Sequence, residues 1–211
     1  FICSSLMSKI GSLSLKIMEK IKDYEFDTFL VGISLKSDYL EREDKLRSEF
    51  KLKGRENIKS SLGRLFGLEI SKLSKKFNFK DPQLTILVYP EEDKVDVRSK
   101  SILLYGRYRK WVRGLPQKKR RCYNCKGKGC IYCDFKGTIE NSVEKILEDK
   151  ISSKFKAEKA KFTWLGGEDV NSLVLGRGRP FFVEIINPKV RKVNLEELLG
   201  KGDVEIVELK Y

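Results

Sequence analysis

A chain of 211 residues has room for one large domain or two small ones. A hydrophobic fraction of 40% allows real cores, and a charged fraction of 35% with both signs interspersed excludes a disordered composition. The net charge of +14 points to a polyanionic partner, nucleic acid foremost, and the absence of histidine excludes His general bases, His metal ligands and Ser-His triads.

Leu6, Ile10, Leu13, Ile17 and Ile21 recur at helical spacing and predict a helix over 5–22. No apolar run approaches the ~20 residues of a membrane span, and the cations among the first apolar residues exclude a signal peptide. Cys3 stands alone and reads as a small buried residue. The first residue is Phe rather than Met, so the expectation is a chain that is not a complete translation product. TFLVGISL (28–35) is apolar and β-branched, a buried strand. Residues 38–49 are charged and helical. Over 54–77, Ile58, Leu62, Leu65, Ile70 and Leu73 predict one long helix that Asp81-Pro82 breaks. QLTILVY (83–89) and KVDVRS (94–99) form a hairpin around PEEDK, and SILLYGR (101–107) is a further strand. Residues 142–155 are helical with Ser142 or Asn141 as cap, 159–165 and 179–186 are strands, 195–199 is a short helix, and 203–209 is a strand. These last elements offer few strands and little core, which reads as part of a domain.

Residues 98–133 carry twelve Lys or Arg and no Asp or Glu, with Tyr105, Tyr108 and Trp111 placed among them as candidates for stacking on bases. Within this run lies CYNCKGKGCIYC. Cys122 and Cys125 form one Cys-x-x-Cys and Cys130 and Cys133 a second, which is metal-ligand spacing rather than a disulfide framework. Four thiolates suit a closed tetrahedral zinc site, whose role would be to stiffen a basic loop that has no core of its own. The alternative is four free thiols, and the gap between the knuckles is shorter than in most zinc ribbons. Reduced cysteines make the cytoplasm the expected compartment.

The other chemical constellation is GGEDVNSLVLGRGRPFFVEI (166–185). A carboxylate in a glycine turn can act as nucleophile or base without a cofactor, or simply hold the turn. Arg177 and Arg179 follow with guanidiniums suited to phosphate.

Taken together and in order, YEFDTFLVGIS (24–34), EREDKLRSEF (41–50), YGRYRKWVRGLPQ (105–117), the cysteine run, GTIENSVEKIL (137–147) and GGEDVNSLVLGRGRPFFVEIINP (166–188) resemble the archaeal-type tRNA pseudouridine synthases that modify uridines 54 and 55 in the TΨC arm. The last segment resembles their motif G-R-E-D-x-D-x-R-x-L-G-x-G-R-P-F. It differs at Gly167, Asn171 and Leu173, where the motif has Arg, Asp and Arg. The resemblance implies an α/β (α+β) architecture: a THUMP-like RNA-binding domain over 1–105, a basic connector with the four-cysteine cluster over 106–140, and an incomplete mixed-sheet synthase domain over 141–211. It implies that Asp169 is the catalytic residue and that no cofactor is needed for catalysis. It implies tRNA as partner, with Arg177 and Arg179 holding phosphate or shaping the site; the cations Arg107, Arg109, Lys110 and Arg113 are read as further RNA contacts. Since no counterpart of the family's C-terminal half follows Tyr211, the chain is expected to act as a fragment or with a second chain that supplies that half. The other expectation is a non-catalytic tRNA-binding module with a zinc knuckle and a decayed synthase remnant.

Overall fold

The computed structural model describes residues 6–54, 56–139, 141–200 and 202–211. Cys3 and the start of the first predicted helix lie outside them. The chain divides into two units, Phe1–Lys100 and Ser101–Tyr211.

In the first unit a 3-10 turn over Leu6–Lys9 leads into helix α1 (Ile10–Ile21), which buries Leu13, Ile17 and Ile21 at four-residue steps. Strand β1 (Thr28–Ile33) and helix α2 (Ser37–Glu49) follow. Helix α3 (Ile58–Ser71) buries Ile58, Leu62, Phe66 and Ile70, again every fourth residue. It is shorter than the 54–77 pattern suggests. The Asn57 side chain accepts the amide of Ser60 and caps the start. Beyond Ser71 the sequence turns to lysines and serines, Leu73 is left 43% exposed, and Ser74 takes a positive φ. The chain then runs as a short edge strand β2 (Lys76–Phe77), well before Asp81-Pro82. Strands β3 (Leu84–Tyr89) and β4 (Lys94–Ser99) form the expected hairpin. The sheet order is β2-β1-β3-β4, with β1 parallel to both neighbours and β4 antiparallel. Glu43 of α2 is buried: it pairs with Arg47 and accepts the amide of Ile58, which fixes where α3 begins.

The strand expected at 101–107 belongs to the second unit and is longer. Strand β5 (Ile102–Lys110) lies between strands β9 (Val174–Ile186) and β10 (Val204–Lys210), and β8 (Lys159–Trp164) completes the order β10-β5-β9-β8. The division therefore falls at 100/101 instead of 105/106, because β5 supplies the centre of the second sheet. This also accounts for the core that the last seventy or so residues lacked on paper. All pairings of this second sheet are antiparallel, whereas the resemblance implies a mixed one. Helix α4 (Val143–Phe155), capped by Ser142, buries Val143, Leu147, Ile151 and Phe155 in the second unit's core, which includes Leu104, Phe181, Val183 and Ile206. Phe181 lies at the middle of an aromatic cluster with Tyr108, Phe162 and Trp164. Two short strands, β6 (Arg120–Arg121) and β7 (Thr138–Ile139), close the base of the cysteine finger.

Phe181→Ala removes a wholly buried ring at the centre of this cluster. It should lower unfolding free energy by about 3–5 kcal/mol in urea titrations; a loss below about 1 kcal/mol would show that the sheet does not rest on these rings.

Candidate active site and metal centre

Alternation along β5 assigns its side chains. Ile102, Leu104, Tyr108 and Lys110 occupy inward positions, while Tyr105, Arg107 and Arg109 point to the other face. Lys110 thus enters the interior. Its side chain is fully buried and its ammonium lies 2.9 Å from Glu168 Oε1, a carboxylate that is itself fully buried. The ammonium also donates to the carbonyls of Leu115 (2.8 Å) and Val170 (3.3 Å). The Tyr108 hydroxyl donates to Glu168 Oε2 at 2.7 Å and accepts from Gln117 Nε2 at 3.1 Å. Gln117 also donates to the carbonyl of Gly166 at 3.2 Å. Burial, and then the bond to Glu168, push the Tyr108 hydroxyl well above the usual tyrosine range, so it stays a neutral donor.

The acidic pair of the glycine turn is therefore divided. Glu168 faces in as an anchor and Asp169 faces out, exposed. Asp169 Oδ1 accepts the amide of Asn171 at 2.8 Å, and its carbonyl accepts the amide and hydroxyl of Ser172. This is an Asx-type turn that fixes the carboxylate's direction. Further bonds hold the turn against its surroundings. Gly114 N donates to Val170 O (3.0 Å), Arg113 Nη1 to Asn171 O (2.6 Å), and Arg179 Nη1 to Gly167 O (2.7 Å). Among the described residues Asp169 forms no ion pair.

The cations assigned to RNA separate into groups. Arg107 and Arg109 donate to the carbonyls of Gly176, Arg177 and Gly178, bracing the bent part of β9. With Arg177 they line an open groove of about 360 Å³. Gly178 has φ +74°, and a Cβ there would stand 2.6 Å from the carbonyl oxygen of Tyr108, so the bend requires glycine. Arg113 and Arg179 belong to the Asp169 turn instead; Arg179 Nε lies 3.5 Å from Glu168 Oε2. Lys110 needs correction as an RNA contact, because it is buried and its ammonium faces Glu168. Tyr108 is likewise buried and unavailable for stacking, while Trp111 is half exposed. Sequence reading missed Glu168, Lys110 and Gln117 as a unit. The signal was present: alternation from Ile102, continued to residue 110, puts Lys110 on the core side.

The four cysteines converge. Their Sγ atoms all lie within 4.8 Å of one another. The Cys122–Cys130, Cys125–Cys133 and Cys130–Cys133 separations are 3.8, 3.7 and 3.8 Å. A tetrahedron of thiolates about 2.3 Å from zinc has edges of about 3.8 Å, so the donor set and spacing fit such an ion. Amides of Gly129 and Gly137 point at Cys125 Sγ and Cys133 Sγ, each at 3.2 Å, and favour thiolates. The Asn124 amide bonds Cys130 Sγ and draws its thiol down to about 7. The short gap between knuckles is accommodated by close backbone approach: a Cβ on Gly137 would lie 2.5 Å from the carbonyl oxygen of Gly127. The four cysteines are thus positioned to bind a metal ion.

An α/β unit followed by a sheet that carries a cysteine finger and a carboxylate turn defines a two-part protein, and comparison with known families agrees with each part. Residues 13–88 match the family described as "Pus10 THUMP domain, archaeal", and residues 103–207 match "Pus10, C-terminal". The chain belongs to the Pus10 family. It is 42% identical over 205 residues to "tRNA pseudouridine synthase Pus10" of Nitrosopumilus maritimus, covering 94% of this chain and 54% of that protein. The protein of the same name from Thermofilum pendens is 33% identical, with 100% and 47% covered. That of Methanococcus voltae is 35% identical, with 93% and 39% covered. The chain spans about half the length of these relatives.

A metal held by the four thiolates would stiffen the finger alone, so strong chelation should unravel the finger and spare the sheet, because none of the four cysteines belongs to the core of the second unit. In hydrogen exchange under strong chelation, amides of 120–139 are expected to lose protection while those of β5 and β9 keep theirs. Equal protection with and without chelator would refute a metal-held finger.

Proposed function

We propose that the chain provides the tRNA-binding part and the catalytic carboxylate of a tRNA pseudouridine synthase acting on uridine 54 or 55 of the TΨC arm. Asp169 is the reacting group. What supports this most is a single observation: the family's Asp position is an exposed carboxylate on a turn whose neighbour, Glu168, is buried and held by Lys110 and Tyr108.

The reaction is an isomerisation. The C1′–N1 bond of the uridine breaks, the base turns, and a C1′–C5 bond forms; C5 gives up its proton and N1 gains one. Atoms and electrons balance within the substrate, so no cofactor is called for. Asp169 assists cleavage of the glycosidic bond, and the uridine must leave the RNA stack to meet it. Arg177, with Arg107 and Arg109, offers a cationic groove for backbone phosphate, while Arg179 and Arg113 hold the turn. Zinc is the ion the four thiolates suit, in a structural role. The remainder of the pocket and sheet comes from sequence that the longer relatives possess, on the same polypeptide or on a second chain.

One observation favours a second reading, a tRNA-binding module without activity. An ionised catalytic Asp gains from an adjacent cation, yet the motif's two arginines are Gly167 and Leu173 here, and among the described residues Asp169 has no ion pair. Pseudouridine formation in a tRNA transcript separates the two, measured with this chain alone and with the C-terminal half of a relative added. Turnover that disappears in Asp169→Ala, with tRNA affinity unchanged, is the expected result. Turnover that persists in Asp169→Ala contradicts the assignment. No turnover in any mixture, with binding that weakens steeply in salt, leaves the binding module.

A further inference from the structure

We infer that the tip of the cysteine finger is itself an RNA-contact surface, on which Tyr123, Tyr132 and Phe135 stack with unpaired bases while Lys126 and Lys128 meet the backbone. This rests on the tRNA reading above and adds a site to it.

The finger from Arg120 to Ile139 has almost no interior. Its buried side chains are those of Cys122 and Cys133. Its large apolar residues between the two short strands all face solvent: Tyr123 is 77% exposed, Ile131 81%, Tyr132 79% and Phe135 75%. One such residue on a surface is unremarked; four on a loop of about twenty residues mark a binding surface. They do not serve the fold, since the four thiols and their amide bonds already hold it. Phe135 carries a further sign. Its backbone sits in the left-handed region at φ +60°, uncommon for a bulky side chain, and its carbonyl packs against Gly129.

The chemistry of the surround selects the partner. Lys126 and Lys128 are exposed between the knuckles, Arg120 and Arg121 lie at the base, and Asp134 is the finger's one acid among the described residues. Aromatic faces interleaved with cations suit single-stranded nucleic acid, whose bases offer flat faces and whose backbone offers charge. A paired RNA helix hides its bases, so the ligand is a loop or other unpaired segment.

The test is binding of a fluorescent tRNA transcript to the metal-loaded chain, with metal content measured for every variant. The triple variant Tyr123→Leu/Tyr132→Leu/Phe135→Leu keeps apolar bulk and removes the rings. It is expected to bind about tenfold more weakly or worse, at an unchanged salt slope. The double variant Tyr123→Phe/Tyr132→Phe keeps the rings and should bind within about twofold of the parent. Lys126→Gln/Lys128→Gln should reduce the slope of log K against log salt by about 1.4. On a fully paired RNA duplex the triple variant should equal the parent. A metal-loaded triple variant, or single Tyr132→Leu where the triple loses metal, that binds tRNA like the parent overturns the inference and leaves the tRNA reading intact; the rings then cover another protein surface. A Phe variant as weak as the Leu variant, or an equal deficit on duplex RNA, overturns it too. A parent chain with no tRNA affinity sinks both readings.

Discussion

The second unit is organised around one buried ion pair, Lys110 with Glu168. Both charged groups have left water completely, which costs several kcal/mol per ion unless each is fully partnered. Most of the partners are present: two carbonyls for the ammonium, and the Tyr108 hydroxyl for Glu168 Oε2, with Gln117 behind the hydroxyl, while Glu168 Oε1 accepts no hydrogen bond among the described residues and relies on the ammonium 2.9 Å away. This network ties the end of the central strand to a glycine turn nearly sixty residues later in the chain. Apolar packing alone could stabilise the sheet, but it would not choose which of two adjacent acids faces inward. The network does, and by taking Glu168 it leaves Asp169 outside with its carboxylate pinned by the Asn171 amide.

The cysteine finger obeys different physics. It has no hydrophobic core, so its shape comes from convergence of four thiols and from glycines that let two backbone segments touch. Its aromatic side chains are consequently free for other work. The sheet and the finger meet different demands within one unit: a rigid platform for a carboxylate, and an extended cationic and aromatic tip. Both belong to a family whose members are named for acting on tRNA.

Helices and hairpin were legible because their signals are local. Ile58, Leu62 and Ile70 of α3 stand out by spacing alone, although the buried residue between them is Phe66 and not the Leu65 that the spacing suggests, and α4 buries Val143, Leu147, Ile151 and Phe155 at the same four-residue step. The end of α3 was not, since Leu73 continues the pattern although it is exposed; tertiary burial decided it. The domain boundary was misread for a related reason. Strand β5 follows directly on the first sheet's hairpin, and only its pairing with strands more than sixty residues away assigns it to the second unit. Cys122, Cys125, Cys130 and Cys133 were fully legible as a cluster because metal spacing is a short-range code. Lys110 was hidden by its company: among so many exposed cations, one inward lysine is recognised only when strand alternation is carried to the strand's last residue.

The central claim is that Lys110 and Glu168 act as one unit. A double-mutant cycle in urea unfolding tests it directly, using Lys110→Met, Glu168→Leu and both together. Each single change strands a buried charge and should cost about 3–5 kcal/mol, while the double variant should cost much less than their sum, a coupling of several kcal/mol. Costs that simply add, or single variants as stable as the parent chain, would contradict the account.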